Sequence, residues 1–274
     1  MTQGPAGDPP PPVQLHRRRG WSVALLAVAA ALVWFVLRPA SSHVHDAPRR
    51  IPWPLPDASQ AAAAHTILPD GRIFLAIEHR PLPGVTPEML AWWYRVLPLS
   101  QVEFDGALRP MYHLFHPTEH GRIWIEQPAA DGQPGVGAGG VVARFEWFGP
   151  FDSEGAARVI ELSPQRFVTR PEMAGVSFGE IRHSWGDSPQ GATYTVDTVV
   201  GVDWPLLGSP INALLRLGIF TEPMLREWQR HQVEEVGLLP HFLPALFAQR
   251  NARNIYRLEA QVYVGGTADV GNGS

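Results

Sequence analysis

An uncharged apolar run near the start of the chain, residues 21–37 (WSVALLAVAAALVWFVL), sets the first limit on its organisation. As a helix this run would extend about 26 Å, the short end of what crosses a bilayer. Arg17, Arg18 and Arg19 precede it, and Arg38 follows it. Because basic residues favour the cytoplasmic side, we predict a single-pass membrane helix with a cytoplasmic N-terminus and an exported, periplasmic or extracytoplasmic, domain. A cleaved signal peptide is the alternative.

The composition changes on both sides of this run. Residues 1–20 are rich in Pro and Gly and are predicted to be a disordered cytoplasmic tail. Residues 38–66 are predicted to be a proline-rich linker. A small N-terminal helical subdomain is expected at 67–110 and a catalytic domain at 111–265, followed by a disordered tail from residue 266 to the end.

Composition also excludes several kinds of function. A net charge of −4 and a pI near 6.2 argue against a nucleic-acid surface. The absence of cysteine excludes disulfides, thiolate metal sites and a cysteine nucleophile. The glycine-rich stretch GQPGVGAGG lacks the Lys-Ser/Thr ending of a phosphate loop, and no Gly-x-Ser-x-Gly nucleophile elbow occurs.

The order of the predicted elements favours the α+β class. Thr86 is a suitable N-cap for a short helix, and residues 111–115 are expected to be extended. The alternation of RIWIE at 122–126 and the sequence VVARFEWF at 141–148 predict strands. A long helix is expected over 221–249. Together they predict an antiparallel sheet curved around one long helix.

The long helix carries the first candidate site. Residues spaced by steps of three and four form one stripe on its face: Met224, Trp228, His231, Glu235, Leu238 and Phe242. A carboxylate on an apolar face is costly unless it is paired or bound to a cation. Because an imidazole and a carboxylate at i and i+4 can share one metal ion, His231 and Glu235 are candidate ligands. A solvated His–Glu pair at the helix edge is the alternative.

A second cluster lies upstream, in MYHLFHPTEH at 111–120. Its histidines, His113, His116 and His120, follow a predicted strand and can reach the mouth of a pocket; ordinary loop histidines are the alternative. Glu146, on the strand at 141–148, is a third candidate carboxylate if its face of the strand points inward, and a surface residue if it does not.

Three segments of the chain together resemble the 2,4-diacetylphloroglucinol hydrolase family: GVTPEMLAWWYRVLP, MYHLFHPTEH and WQRHQVEEVGLLPHFLPALF. The resemblance covers residues 81–247 and is most specific in the third segment. It implies a helix-grip domain like that of the Bet v 1 proteins, with a small N-terminal domain. It also implies a zinc-dependent hydrolase that releases an acetyl group from an acylated phenol by cleaving a carbon–carbon bond. The predicted membrane helix departs from the family.

The resemblance assigns roles to individual residues. The implied zinc ligands are His120, Glu146, His231 and Glu235. Glu154 competes with Glu146 for its place. Tyr112 matches a tyrosine of the substrate pocket, and His113 or His116 would shuttle a proton.

Two other functions compete with this interpretation. One is a non-catalytic module of the same fold that carries a lipid or a quinone, and the other is an ester or amide hydrolase with the same metal. The expected partners are a small aromatic or hydrophobic substrate, the membrane and, in a homodimer, a second copy of the chain. No nucleic acid is expected.

Overall fold

The computed structural model describes residues 43–173, 175–252 and 254–258, all within one compact unit. The predicted N-terminal tail, the membrane helix at 21–37 and the C-terminal tail lie outside the described residues. Among the helices of the described ranges, none combines the length and the apolar character that a bilayer crossing requires.

The described chain contains four α-helices and twelve strands. Its α-helices are α1 (Pro87–Val96), α2 (Tyr112–Phe115), α3 (Gly208–Gly218) and α4 (Glu222–Ala248). The first half of its strands are β1 (Ala61–Ile67), β2 (Ile73–Leu82), β3 (Gln101–Phe104), β4 (Ala107–Pro110), β5 (His120–Gln127) and β6 (Val141–Phe148). The second half are β7 (Phe151–Leu162), β8 (Arg166–Met173), β9 (Val176–Ser177), β10 (Gly179–Gly186), β11 (Ala192–Val200) and β12 (Ile255–Leu258). Short 3-10 turns occupy Ala58–Gln60 and Leu97–Leu99.

Within the described residues, nine strands form one antiparallel sheet in the order β1-β2-β11-β10-β8-β7-β6-β5, with β9 paired to β8. A second sheet has the order β12-β3-β4, in which β12 and β3 run parallel. Hairpin connections join most neighbouring strands of the large sheet. The register of each pair is set by the alternation of apolar side chains, which points one set of residues toward the core.

The large sheet curves around α4. This helix contacts β1 and β2 near one edge of the sheet and β6 near the other. In a flat sheet β2 and β6 would lie about 24 Å apart, farther than a helix roughly 10 Å wide can bridge. The predicted α+β class, with an antiparallel sheet wrapped on a long C-terminal helix as in a helix-grip fold, is therefore confirmed.

Helix α1 closes the concave side of the sheet. Thr86 caps it through a hydrogen bond from the Met89 backbone N–H to its hydroxyl, 3.3 Å long. The helix contacts α4, β7 and β8, and Trp93 is fully buried between Phe115 and Phe242. The core thus lies between the concave sheet and the two helices.

Two of the predicted segments, 38–66 and 67–110, are organised differently in the structure. Strand β2, expected in a separate subdomain at 67–110, lies inside the large sheet between β1 and β11. The expected linker at 38–66 contains β1 and an ordered segment, residues 43–56, which we call the N-terminal strap. Its Trp53 is buried and stacks on His241 of α4 at 5.6 Å. The many prolines of residues 38–66 are typical of a linker, but Trp53 anchors this segment in the core.

Two local expectations also differ from the structure. Residues 111–115 were expected to be extended, but 112–115 form the single turn α2, in which the backbone N–H of Leu114 donates to the carbonyl of Met111. Helix α3 was not anticipated, because the short segment GSPINALLRLG contains Gly and Pro at its start.

Candidate metal centre

The β5–β6 pairing brings the first two site residues together. His120, the first residue of β5, lies opposite Glu146 of β6 in the antiparallel register. Both side chains are buried, and the His120 Nε2 atom lies 3.7 Å from Oε2 of Glu146. The alternative ligand, Glu154, lies on the next strand, where its half-exposed carboxylate accepts a hydrogen bond from Arg122 at 3.3 Å. The register therefore excludes Glu154 from this cluster.

Helix α4 supplies the other two residues. His231 and Glu235 are one turn apart and face the sheet, with 0% and 4% of their surface exposed. Nε2 of His231 lies 3.2 Å from Nε2 of His120, and Oε2 of Glu235 lies 3.4 Å from His120 Nε2 and 3.7 Å from His231 Nε2. We call His120, Glu146, His231 and Glu235 the central cluster.

Both imidazole rings are held in a defined tautomer by acceptors that carry no proton. Nδ1 of His120 donates to the backbone carbonyl of Tyr112 at 2.8 Å. Nδ1 of His231 donates to the Glu119 carboxylate at 2.8 Å. In the neutral ring the opposite nitrogen, Nε2, then carries a lone pair. Burial, together with the neighbouring imidazoles of His231 and His116, holds the pKa of His120 well below its usual range.

The central cluster therefore brings hydrogen-bond acceptors close together without a donor between the two imidazole rings. Two Nε2 lone pairs and carboxylate oxygens converge at 3.2–3.7 Å, and His120, Glu146 and His231 each offer a ligand atom within 4.8 Å of the others. Tetrahedral zinc with bonds of about 2.0–2.1 Å places its ligand atoms roughly 3.4 Å apart. Donor chemistry and spacing both fit a divalent cation such as zinc.

Hydrogen bonds from neighbouring side chains orient the two carboxylates. Gln232 donates to Oε1 of Glu235 at 2.6 Å, while Arg144 donates to Oε1 of Glu146 at 2.5 Å and Tyr112 to its Oε2 at 2.6 Å. Burial and the charge of Glu146 hold the pKa of Glu235 well above its usual range. For Glu146 burial acts in the same direction, but Arg144, the nearby imidazole and the hydrogen bonds outweigh it and lower its pKa.

A charged network lies behind His231. Arg230 donates to both Glu119 and Glu234, and Glu234 accepts a hydrogen bond from Nε2 of His116 at 2.9 Å. The rings of His116 and His231 are stacked at 4.3 Å. A carboxylate behind a histidine fixes its ring orientation and raises its basicity toward a metal ion. Glu119 occupies that position here.

A second polar group lines the concave face of the sheet. The hydroxyls of Tyr94 on α1 and Tyr194 on β11 are hydrogen-bonded to each other, and the Tyr194 hydroxyl lies 2.9 Å from Nδ1 of His183 on β10. Burial, and the charge of Glu235, raise the pKa of Tyr94, and burial lowers the pKa of His183 to about 3. Beside them, Nε2 of His79 is buried without a hydrogen-bond partner in the described part of the chain.

The remaining predicted residues lie around the central cluster rather than in it. Tyr112 donates a hydrogen bond from its hydroxyl to Glu146 and accepts one at its backbone carbonyl from His120. His113 is half-buried, and its Nε2 is 2.7 Å from the carbonyl oxygen of Gly121. Nδ1 of His116 accepts a hydrogen bond from the backbone N–H of Glu119 at 3.1 Å. Neither His113 nor His116 directs a free nitrogen at the cluster, so their predicted proton transfer stays a prediction without a geometric basis.

Several residues of the site had no recognisable signal in the sequence. Glu119 precedes His120 directly, and only the fold shows that its carboxylate reaches His231. Tyr94 and Tyr194 are separated by 100 positions. Arg144 lies two residues from Glu146 on β6, a spacing that places both side chains on one strand face, but only the structure shows their contact.

Comparison with known proteins adds no functional assignment. No protein-family model and no curated protein matches the chain. Solved structures that resemble it in part include a START superfamily protein from Mycobacterium smegmatis, with 16% identity, 64% of this chain and 95% of that chain covered, and a TM-score of 0.37. Protein Ms6760 from the same organism has 9% identity, coverage of 65% and 95%, and a TM-score of 0.38. For Ara h 8.0201 the values are 12%, 61% and 98%, and 0.32.

Proposed function

We propose that the chain is a zinc-dependent hydrolase that cleaves the carbon–carbon bond between an acyl group and a polyhydroxylated aromatic ring, as in the 2,4-diacetylphloroglucinol hydrolase family, with its Bet v 1-like domain. One observation carries the proposal. The central cluster directs two imidazole lone pairs and two carboxylates at one buried point, an arrangement that is costly without a cation.

A bound zinc ion would supply Lewis acidity, polarising the acyl carbonyl and lowering the pKa of a water toward about 7. The protein's own residues then perform the remaining tasks. Glu119 and the Tyr112 carbonyl hold the two imidazole rings, and Arg144 keeps Glu146 ionised through its positive charge.

The tyrosines of the concave face suit a phenolic substrate. Tyr94 and Tyr194 are buried with raised pKa values, so they stay protonated and can donate hydrogen bonds to a phenolic oxygen. When the carbon–carbon bond breaks, the electron pair stays on the ring carbon, which then takes up a proton, while the acyl carbon gains the hydroxyl of water. We assign the Tyr194 hydroxyl as the donor of this proton, since Nδ1 of His183 holds that hydroxyl at 2.9 Å. The carboxylic acid formed from the acyl group returns a proton to Tyr194.

The test measures zinc first and turnover second. We expect the purified full chain to hold one equivalent of zinc and to convert a monoacylphloroglucinol into the free phenol and a carboxylate. His231→Ala should lose the zinc and the activity. His241→Ala is the matched control, because His241 is on the same helix but stacks on Trp53 outside the cluster. Zinc retained in full by His231→Ala would exclude the proposal.

A non-catalytic carrier of a small hydrophobic ligand is the second candidate. The observation that favours it is the pair of buried polar atoms on the concave face, Nε2 of His79 and Oγ1 of Thr198, that lack a partner within the described residues and would suit a bound molecule. A carrier needs no stoichiometric zinc, so the same metal measurement separates the two candidates. Turnover of simple esters but not of acylphenols would instead identify an ester hydrolase.

A further inference from the structure

Large apolar side chains are exposed in an unusual concentration at one end of the large sheet. Among the described residues, ten large hydrophobic side chains are exposed, and half of them belong to this region. They are Ile67 at the end of β1, Trp204, Leu206 and Leu207 before α3, and Leu217 on α3. We call these five residues the apolar patch. A concentration of exposed apolar side chains can mark a contact with a membrane, a protein or a ligand.

The tip of the patch protrudes into solvent. Residues 203–207 are all exposed, and Leu206 has 96% of its surface in contact with solvent. Its φ of 64° lies in the left-handed region, which is unfavourable for a leucine. Such backbone strain persists only where the surrounding structure enforces it, often at sites of binding.

The patch is held rigidly, so its exposure does not result from poor packing of α3. The inner face of this helix is buried at Asn212, whose amide group donates to the carbonyls of Asp70 and Val202 at 3.0 and 2.9 Å. The Asn212 side-chain oxygen accepts from the backbone N–H of Val202 at 2.8 Å. Arg216 donates to the carbonyl of Gly71. These bonds fasten α3 to the β1–β2 turn and direct Leu217 outward.

The strand register places the beginning of the described chain at this same end. Ile73 pairs with both Ile67 and Val200, and Val200 pairs with Gly179 at the start of β10. Following the pairing onward through β8, the start of β7 also lies at this end. There His43 and His45 contact Asp152 of β7 at 2.9 and 2.7 Å.

The sequence that precedes His43 favours a lipid bilayer as the occupant. It comprises 42 residues and contains the uncharged run at 21–37, which is the predicted membrane helix. Six residue steps from Leu37 to His43 reach at most about 20 Å. A membrane helix that ended at Leu37 would therefore keep this end of the sheet close to the bilayer.

We propose that the apolar patch inserts into the interfacial layer of a lipid bilayer, with Trp204, Leu206 and Leu207 as the inserted tip. Tryptophan and leucine suit the boundary between headgroups and acyl chains. The two arginines beside the patch are engaged within the protein, since Arg72 pairs with Asp70 at 2.7 Å and Arg216 contacts Gly71. Asp203, exposed directly before Trp204, adds a negative charge at the base of the tip. Insertion is thus apolar and does not require anionic lipid. A protruding tip of this size is a poor match for the flat, extended surface of a second copy of the chain.

The test uses single-cysteine variants of the full chain, which has no native cysteine. Leu206→Cys and Leu217→Cys carry an environment-sensitive fluorophore, and the protein is reconstituted into phosphatidylcholine vesicles that contain a lipid-borne quencher. Ile255→Cys is the matched control, because Ile255 has 55% exposure but follows the C-terminal end of α4, whereas α3 precedes its N-terminal end.

We expect emission at positions 206 and 217 to shift to shorter wavelength and to be quenched several-fold more strongly than at 255. Three outcomes overturn the proposal. One is a failure of the chain to associate with vesicles, and another is equal quenching at all three positions. The third is a concentration-dependent shift at 206 without lipid, which would identify a second copy of the chain as the occupant.

Discussion

At the residue scale, the orientation of His231 matters as much as its presence. Its Nδ1 atom is held by Glu119, whose other oxygen contacts Arg230 and the backbone N–H of Gly149. Burial alone would raise the pKa of Glu119, but the hydrogen bonds from the His231 side chain and the Gly149 backbone N–H oppose it, and the pKa is lowered to about 2. The carboxylate therefore stays ionised and keeps the lone pair of His231 Nε2 directed at the cluster.

Substitution of Glu119 tests this orientation. Glu119→Gln keeps the shape of the side chain but removes the charge, so we expect zinc affinity to fall about 10–100-fold. Competition with a chelator measures the affinity. Glu154→Gln is the control, because Glu154 is half-exposed and pairs with Phe145, so its side chain lies on the face of the sheet opposite to that of Glu146. Equal affinities in the two variants would show that Glu119 has no part in holding the metal.

Buried neutral histidines make stability depend on pH. Burial lowers the pKa of His79 from 6.5 to about 4, so the unfolded chain binds a proton at this position that the folded chain does not. The stabilisation is complete above pH 6.5 and decreases as the pH falls toward 4. His79→Met should reduce the slope of unfolding free energy against pH by up to about 1.4 kcal/mol per unit in this window. Urea unfolding at several pH values measures it, and an unchanged slope would contradict the assignment.

At the element scale, the N-terminal strap supports the metal centre from outside. Arg49 donates to the carbonyl of His120 at 2.9 Å, and its backbone N–H donates to the carbonyl of Pro117 at 3.1 Å. Farther along, Pro56 packs on α4 opposite Gly237. The strap therefore links the start of β5, where the proposed ligand His120 lies, to α4, which carries the proposed ligands His231 and Glu235.

The contact at Gly237 predicts that a glycine-to-alanine substitution within a helix lowers stability, the opposite of its usual effect. Replacing glycine by alanine inside a helix normally stabilises it by about 0.5–1 kcal/mol. At 237 the new Cβ would lie 2.6 Å from Cγ of Pro56, so Gly237→Ala should displace the strap, lower stability and speed tryptic cleavage after Arg49. Gly155→Ala is the control, since a Cβ there meets nothing within 4 Å. Stabilisation without faster cleavage would show that the strap is not docked at α4.

A site residue could be predicted from the sequence when its position depended on one helix or strand, and not when it depended on how several elements pack together. His231 and Glu235 required only one helix, so their spacing was sufficient. The choice between Glu146 and Glu154 required the register of β5 against β6, which amphipathic alternation does not specify. The Tyr94–Tyr194 contact depends on the docking of α1 across the sheet, a tertiary event with no local signal.

At the scale of the whole molecule, a sheet that bends around a single helix brings distant segments to one interior point. Ligands from β5, β6 and α4 meet there, and α1 adds its tyrosine from the concave side. The same curvature leaves the end of the sheet with α3 exposed. The proposed chemistry therefore belongs to the interior, and the proposed membrane contact to one end of the sheet.

X-ray absorption at the zinc edge of the purified full chain is the most direct test of the metal centre. The account predicts two imidazole nitrogens and two carboxylate oxygens at about 2.0–2.2 Å, and loss of one imidazole contribution in any zinc that His231→Ala retains. A spectrum without imidazole scattering would contradict this account. So would a protein that contains no zinc although zinc was present in the medium during its purification.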